Sequence, residues 1–227
     1  MIPRALAIAA LSAAAFGQSR TMTEGHHRME IMLERLDGGT WHTIDPGLVL
    51  AQGDRVRFRY RTNFDGYLYV MNQSTSGKYE QLFPRDETGQ DNRLIGGKDY
   101  QVPSNSTVFR IAGPAGHEIV YWLVTPARLT GPPPRYQPPP PSEKKAPPTL
   151  IPRCDDTIMR ARGDCVDSTA GPKLVPRDLE IPQNLAQAAG QGDPRDLLFL
   201  RQKNTAIISS PEPLTGPVLY QFRLAHR

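Results

Sequence analysis

The amino-acid sequence predicts an all-β, antiparallel fold, and three observations support this prediction. Apolar and polar residues alternate with a period of two in several short segments, which is typical of half-buried strands. Turn residues separate these segments at intervals of roughly 8–12 residues, as in sandwiches and barrels, and the chain holds 19 Gly and 23 Pro. No helical period accompanies the apolar residues between positions 28 and 126.

The clearest alternation lies in two N-terminal segments. In residues 29–34 every second position is apolar, and the positions between them include Glu30 and Glu34. In residues 55–61 three apolar side chains would face the core while four arginines would face water. These arginines are Arg55, Arg57, Arg59 and Arg61.

Residues 67–72 and 118–125 are apolar on both faces, which favours central strands. Short strands are also expected from Trp41, over residues 79–83 and over residues 107–111, because turn residues or prolines bound these segments. Together the strands define a predicted core domain that is either a sandwich or a barrel.

The C-terminal residues 193–227 are predicted to close the fold. In residues 218–225 every second side chain is apolar, so this strand needs a sheet on which to bury one face. Residues 131–192 are too polar and turn-rich to supply that sheet, and one short helix near residues 184–189 is expected there. We therefore predict that the closing strands return to the core domain, residues 18–130, and that residues 131–192 form a long insertion.

Proline dominates the first part of this insertion and supplies ten of the 21 residues from 132 to 152. Proline lacks the amide donor and fixes φ, so this stretch cannot join a helix or a central strand. We expect an extended polyproline II spacer with a rise of about 3.1 Å per residue. The alternative interpretation is a ligand for a proline-binding domain.

Cys154 and Cys165 are the only cysteines of the chain and are predicted to form a local disulfide bond. An isolated pair this close in sequence is typical of a disulfide in an exported protein. Ten residues separate the two cysteines, which fits neither zinc knuckles nor thioredoxin-like redox motifs. Closing such a loop contributes roughly 3 kcal/mol of stability.

The N-terminus has the pattern of a secretory signal peptide, residues 1–17. Arg4 supplies a positive charge, residues 5–16 are apolar, and Ala15 and Gly17 are the small residues that a signal peptidase reads. The apolar run is too short to cross a bilayer, and no later stretch approaches the roughly 20 apolar residues required. We expect an exported protein, periplasmic or extracellular, without a transmembrane segment; a retained interfacial helix is the alternative.

Short motifs follow one another in a specific order over residues 48–126. They are Gly53-Asp54, Asp65-Gly66-Tyr67-Leu68-Tyr69-Val70, Gly77, Leu82-Phe83-Pro84, Asn92, Gly96-Gly97, Val102-Pro103, Phe109 and Gly113-Pro114-Ala115-Gly116-His117-Glu118. This ordered set resembles the bacterial domain-of-unknown-function family 4384. The resemblance implies an immunoglobulin-like β-sandwich in an exported or envelope-associated protein, with no catalytic activity assigned to the domain itself. The proline-rich, disulfide-bearing insertion departs from the compact layout of the family.

No residue pattern in the chain indicates catalysis, so we expect neither enzymatic activity nor a cofactor. The sequence lacks a Gly-x-Ser-x-Gly motif, a His-Glu-x-x-His motif and a phosphate-binding glycine loop. A metal site at His26 and His27 would need ligands from elsewhere, and His117 beside Glu118 flanks a turn without a nominated nucleophile. The remaining histidines are His42 and His226. The alternative is a hydrolase whose residues assemble only on folding, in a pocket that joins a histidine to a carboxylate.

The weak candidate for a metal site is an acidic loop. Oxygen ligands of this kind suit Ca²⁺, but their spacing differs from the helix–loop–helix calcium motif, and solvated loops are commonly acidic. The candidate residues are Asp86, Glu87, Asp91 and Asn92.

The arginine row over residues 55–61 is the candidate binding surface. Its Cβ atoms would lie about 6.6–7 Å apart, so the guanidinium groups repel one another unless carboxylates balance them. Glu30 and Glu34 could pair with them across the sheet. The alternative is an anionic partner, such as a glycan, a phospholipid headgroup or an acidic protein surface. Nucleic acid is not expected, because the net charge is only +4 and the row lacks interleaved exposed aromatics.

The sequence therefore predicts a non-catalytic binding or structural module, secreted or in the bacterial envelope. Its partner would be another envelope protein or an anionic envelope polymer. The alternative is a protein that binds carbohydrate or lipid headgroups through the arginine row or through exposed aromatics. Burial of the large aromatic side chains would count against that alternative; these are Trp41, Trp122, Tyr67 and Tyr69.

Overall fold

The computed structural model describes residues 27–129, 151–175, 197–210 and 216–227. The predicted signal peptide, His26, most of the proline-rich segment and the predicted helix near residues 184–189 lie outside these ranges. The described residues form 13 strands and one short helix. The elements are β1 (His27–Asp37), β2 (Thr40–Ile44), β3 (Arg55–Thr62), β4 (Gly66–Gln73), β5 (Tyr79–Phe83), β6 (Arg93–Leu94), β7 (Asp99–Val102), β8 (Phe109–Arg110), β9 (Gly116–Thr125), α1 (Thr157–Ala161), β10 (Gly171–Leu174), β11 (Leu198–Gln202), β12 (Thr205–Ser210) and β13 (Val218–His226).

These strands form two antiparallel sheets. The first sheet has the order β11-β12-β1-β3-β7, with β2 also paired to β1 and β8 to β3. The second sheet has the order β10-β13-β9-β4-β5, with β6 also paired to β4. The predicted all-β, antiparallel sandwich is confirmed, while the immunoglobulin-like assignment stays a prediction.

The main core lies between the two sheets and is built around Trp122 of β9, which is fully buried. Its ring meets Phe58 and Tyr60 of β3 edge-on, at centroid distances of 5.3 and 5.6 Å. It also stacks on Tyr220 of β13 at 6.2 Å. Aromatic pairs of this kind contribute about 0.5–1.5 kcal/mol beyond the area that they bury. As the alternation of residues 55–61 predicts, the apolar face of β3 packs against the second sheet.

The last strand completes the second sheet. All nine residues of β13 are in register with β9, from Val218 opposite Val124 to His226 opposite Gly116. The preceding strand, β12, pairs with β1 in the first sheet. The C-terminal part of the chain therefore contributes a strand to each layer, and both strands bury apolar side chains in the main core.

The disulfide segment, residues 151–175, packs directly on the sandwich. The predicted bond between Cys154 and Cys165 is confirmed, with the two Cα atoms 4.7 Å apart. The Val49 amide donates to the Cys165 carbonyl at 2.8 Å, and the Asp167 amide donates to the Gly47 carbonyl at 2.8 Å. A Cβ at Gly47 would lie 2.8 Å from the Asp167 carbonyl oxygen, so the close backbone contact requires glycine here.

Two regular elements of this segment were not anticipated from the sequence. Strand β10 pairs with β13 at the edge of the second sheet, within a stretch that the sequence indicated as turn-rich from Pro172. Helix α1 is one short turn, and the Asp156 side chain caps it by accepting hydrogen bonds from the Ile158 and Met159 amides, both at 3.0 Å. Such caps are the usual way to satisfy free amides at a helix start.

The strand expected over residues 107–111 is shorter than predicted and comprises only Phe109 and Arg110. Thr107 is held by local side-chain hydrogen bonds instead of a ladder: its amide and hydroxyl both donate to the Asn105 side-chain oxygen. Asn and Thr commonly compete with sheet pairing in this way. No helix in the described ranges is long and apolar enough to cross a membrane.

Cleavage of the chain between the sandwich strands and the disulfide segment should leave the two fragments associated. Replacing residues 143–148 by a protease site puts both cysteines on the C-terminal fragment, so no covalent bond joins the pieces. Strands β12 and β13 still pair with β1 and β9, and each buried large apolar side chain contributes roughly 1.5–3 kcal/mol. The cleaved protein should elute as one species in size-exclusion chromatography and separate only in denaturant. Separate elution in native buffer would show that the closing strands are an independent unit.

Candidate functional site

The four arginines predicted as a row lie on the outer face of the first sheet. The alternate residues of β3, including Val56 and Phe58, are buried in the main core. Arg55 and Arg61 are exposed, and Arg57 and Arg59 are half-buried. We call this surface, formed by Arg55, Arg57, Arg59 and Arg61, the arginine face.

A buried carboxylate balances the centre of the arginine face. Glu34 of β1 is in register with Arg57 and is only 4 % exposed. Arg57 Nε donates to its Oε2 at 2.6 Å, and Arg59 Nη1 lies 3.6 Å from its Oε1. One carboxylate thus serves two guanidinium groups. Hydrogen bonds between charged groups contribute about 1.5–3 kcal/mol each, so Glu34 is the main electrostatic support of this face.

Trp41 also contacts Arg57. The Arg57 guanidinium carbon lies 4.2 Å from the centroid of the half-buried Trp41 ring, within range of a cation–π interaction. Arg57 therefore contacts both a carboxylate and an aromatic ring. This contact also engages one of the four aromatic residues whose burial would count against carbohydrate binding.

The ends of the arginine face have no such support. Arg55 and Arg61 form no ion pair with any residue in the described part of the chain. The sequence indicated that Glu30 could pair across the sheet, but this expectation is wrong for Glu30. Its carboxylate pairs with Arg28, which lies two residues away on the same face of the same strand. Two positive charges of the arginine face therefore point into solvent.

Sequence reasoning missed two further features of this outer surface. Arg110 of β8 is exposed and in register with Arg55, so a fifth arginine extends the face. On the other side of β1, Leu198 and Leu200 of the edge strand β11 are 51 % and 37 % exposed. Their positions opposite Ser209 and Ile207 place them on the outer side of the first sheet. The surface thus combines unbalanced arginines with exposed leucines.

The acidic loop does not assemble into a calcium site in the structure. Glu87 Oε2 accepts from Arg85 Nε at 2.7 Å, and Asp86 accepts from the Gln90 side chain. Asp91 accepts from the Arg93 amide at 3.2 Å, while the buried Asn92 donates to the Leu68 carbonyl. Within the described ranges, no group of three or more His, Cys, Asp or Glu could hold a metal ion.

Two buried histidine–carboxylate pairs lie near one end of β9. His117 Nε2 is 3.5 Å from Asp167 Oδ2. His226 Nε2 is 3.5 Å from Glu118 Oε1, and the His226 side chain is fully buried. The Glu118 carboxylate also accepts from Asn72 at 2.6 Å. Because His226 is enclosed, no substrate can reach it in this structure.

Asp167 anchors the disulfide segment. Its side chain is 1 % exposed and accepts from the Arg153 amide at 2.7 Å and from the Thr169 amide and hydroxyl at 2.7 and 2.6 Å. Burial by itself would raise the pKa of Asp167, but these hydrogen bonds and the nearby His117 outweigh it and hold the pKa below its ordinary value. No local sequence pattern indicates the contact between His117 and Asp167, since the two residues are 50 positions apart.

An apolar pocket opens between the sheets, lined in part by Met29, Val124 and Ile208. Its volume of about 20 Å³ is about enough for one water molecule. No carboxylate lines it, so it does not join a histidine to an acid as the hydrolase alternative requires.

The buried position of Glu34 leads to a stability prediction. Glu34→Gln leaves Arg57 and Arg59 without a negative partner and should lower the free energy of unfolding by about 1.5–3 kcal/mol. The matched control is Glu30→Gln, which removes a partly exposed pair and should cost less than about 1 kcal/mol. Urea denaturation measures both. Equal losses for the two variants would show that Glu34 is no more important than a surface charge.

The lowered pKa of Asp167 predicts acid sensitivity of the disulfide segment. A carboxyl whose folded-state pKa lies below its unfolded value stabilises fully above the unfolded pKa of about 3.9, and the contribution is lost as the pH falls further. Asp167→Asn should therefore destabilise the protein by about 1–3 kcal/mol at neutral pH and flatten the acid limb of stability below about pH 4. Denaturation across pH tests this. An unchanged acid limb in the variant would exclude Asp167 as its source.

Comparison with known proteins identifies one similarity, to a protein family. No curated protein and no solved structure matches the chain. Residues 49–128 match the family described as "Domain of unknown function (DUF4384)", which confirms the resemblance seen in the sequence motifs. The match covers β3 to β9, and therefore the arginine face and the central strands of the second sheet. Over residues 49–128 the chain is therefore similar to the DUF4384 family.

Proposed function

We propose that this protein is a non-catalytic binding module, exported to the bacterial envelope or secreted, that acts by contacting another protein. The contact surface in this proposal is the arginine face together with Arg110 and the exposed leucines of β11. The observation that carries the proposal is the uneven balance of charge on this face. Glu34 supports Arg57 and Arg59 at the centre. Among the described residues Arg55 and Arg61 form no ion pair, although Glu30 and Asp99 are in register with Arg61.

The leucines favour a protein partner over a purely anionic polymer. Leu198 and Leu200 are exposed on the same side of the sheet as the arginines, and exposed apolar groups beside charged ones are typical of protein-binding surfaces. The partner would present carboxylates to the arginines and apolar side chains to the leucines. Charge complementarity of this kind gives specificity and a fast association rate.

A second candidate is binding of carbohydrate or lipid headgroups through the arginines alone. The aromatic residues give this candidate little support, because Trp122 is fully buried and Tyr69 is 6 % exposed. Trp41 and Tyr67 are half-buried, and the Trp41 ring already contacts Arg57. The exposed arginines are the observation that supports this candidate, because guanidinium groups bind phosphate and carboxylate ligands well.

The proposal predicts that removing the unbalanced charges weakens partner binding. The immobilised protein is used to retain proteins from an envelope extract of its bacterium, in parallel with the variant Arg55→Gln/Arg61→Gln. Each exposed charge contributes roughly 0.2–1 kcal/mol, so the double variant should retain the partner several-fold less well, and salt should weaken retention by the wild type. The matched control is Arg160→Gln/Arg162→Gln, two exposed arginines of the disulfide segment, which should behave as the wild type.

The same proteins are then tested on anionic phospholipid vesicles and on a soluble acidic polysaccharide. Binding to either probe that depends on Arg55 and Arg61, without any retained protein, would support the second candidate. Equal retention by the wild type and both variants would exclude the arginine face as the binding surface.

A further inference from the structure

The outer face of the second sheet carries an apolar cluster, although Gln221 and Arg223 lie on the same side. Outward-facing residues of such sheets are normally polar and solvated. Here a second apolar cluster lies on that side, and its central members Tyr121 and Leu123 have no exposed surface. Because their sequence neighbours Val120, Trp122 and Val124 belong to the main core, this cluster must be covered from outside the sandwich.

Tyrosines are the prominent side chains of this cluster. Tyr79 stacks on Tyr121 at a centroid distance of 6.4 Å. The Tyr121 hydroxyl donates to the Gln73 side chain at 2.9 Å, and the Tyr69 hydroxyl accepts from the Leu129 amide at 3.0 Å. Tyr67 packs at the edge of the cluster. We call this surface, formed by Tyr67, Tyr69, Tyr79 and Tyr121, the tyrosine face.

The chain leaves the sandwich on the tyrosine face. Leu129 packs against the cluster and donates to Tyr69, whose register partner is Leu123. Only two residues follow before the proline-rich stretch begins at Pro132. The last described residue before the proline-rich stretch therefore lies on the tyrosine face.

The chain returns on the same side of the sheet at the opposite end of β9. The Arg153 amide donates to Asp167 at 2.7 Å, and Asp167 contacts His117, which shares the outward side of β9 with Tyr121 and Leu123. His117 and Leu123 are six positions apart along β9, a distance of about 20 Å. The 21 residues from 130 to 150 would span about 65 Å as polyproline II, which is more than enough to cross the face.

We propose that the tyrosine face is a polyproline-binding surface and that residues 132–141 of the same chain occupy it. Aromatic-lined surfaces bind polyproline II segments because proline rings pack between aromatic rings, and the segment loses little entropy on binding. Residues 132–141 contain seven prolines, in runs of three and four. The class of partner that fits this face is a proline-rich segment, supplied here in cis. The surface is distinct from the arginine face, which lies on the other sheet.

A competing occupant is the second segment outside the described residues on this side, residues 176–196. It follows Val175, which also packs on the cluster, but it contains only three prolines. Its composition fits the tyrosines less well than the runs at 132–134 and 138–141. The experiment therefore separates the two segments.

The test replaces Pro138, Pro139, Pro140 and Pro141 by Ser in the full chain and maps tyrosine nitration by mass spectrometry. Nitration of Tyr69, Tyr79 and Tyr121 should rise about tenfold. A tenfold rise in the accessible population corresponds to a loss of about 1.4 kcal/mol in the free energy of binding of the segment to the face. The buried core tyrosines Tyr60 and Tyr220 should stay unreactive and so report an intact fold. The matched control, Pro147→Ser/Pro148→Ser, should resemble the wild type. A synthetic peptide of residues 131–142 should protect the exposed tyrosines of the four-serine variant.

Unchanged nitration in a folded four-serine variant would overturn the proposal. So would a rise seen only when residues 176–190 are replaced, since that result would identify the competing segment as the occupant. If the four-serine variant unfolds, a nitroxide attached at Ser142→Cys in the otherwise unaltered chain decides the question. It should broaden the methyl signals of Leu123 and Leu219 on the tyrosine face and spare Leu33 in the first sheet; equal broadening of all three would contradict the proposal.

Discussion

The fold depends on the insertion of the last strand, β13, between β9 and β10. Tyr220 and Phe222 of this strand bring their rings to Trp122 and Phe58, so the central aromatic cluster is complete only when β13 is in place. The disulfide segment depends on the same strand, because β10 joins the second sheet through its pairing with β13. A local disulfide bond limits the freedom of that segment but does not attach it. Attachment comes from the pairing of β10 with β13 and from the backbone hydrogen bonds to Gly47 and Val49.

In the arginine row, one buried carboxylate reduces the repulsion between neighbouring guanidinium groups. Four guanidinium groups on one face of a strand would destabilise the sheet if each were unpaired. Glu34 offsets the two central charges, and Trp41 gives Arg57 a second contact. The terminal charges face solvent, where high dielectric weakens their repulsion. The same arrangement leaves these terminal charges exposed, where they are available to the partner that we propose.

The two outer faces of the sandwich differ chemically. The first sheet presents arginines and an edge of exposed leucines, whereas the second presents buried tyrosines and aliphatic side chains. A sandwich that only needed solubility would carry polar residues on both faces. The difference indicates that the second sheet faces other parts of its own chain, while the first faces the surroundings. The disulfide segment, fixed to the second sheet through β10 and Asp167, is consistent with this division.

The sequence by itself determined the strands, the arginine row, the disulfide bond and the return of the last strand. These features depend on local alternation, on the number of cysteines and on the need of an amphipathic strand for a sheet. Only the tertiary structure decided which distant residues meet. Glu30 and Glu34 both lie on the side of β1 that carries the arginine face. Only Glu34 is in register with Arg57, whereas Glu30 pairs with Arg28. The pairing of His117 with Asp167 and the position of Leu198 on the same side of the first sheet as the arginines depend on topology. No local sequence pattern carries that information, because contacts between distant residues depend on how the strands are ordered in the sheets.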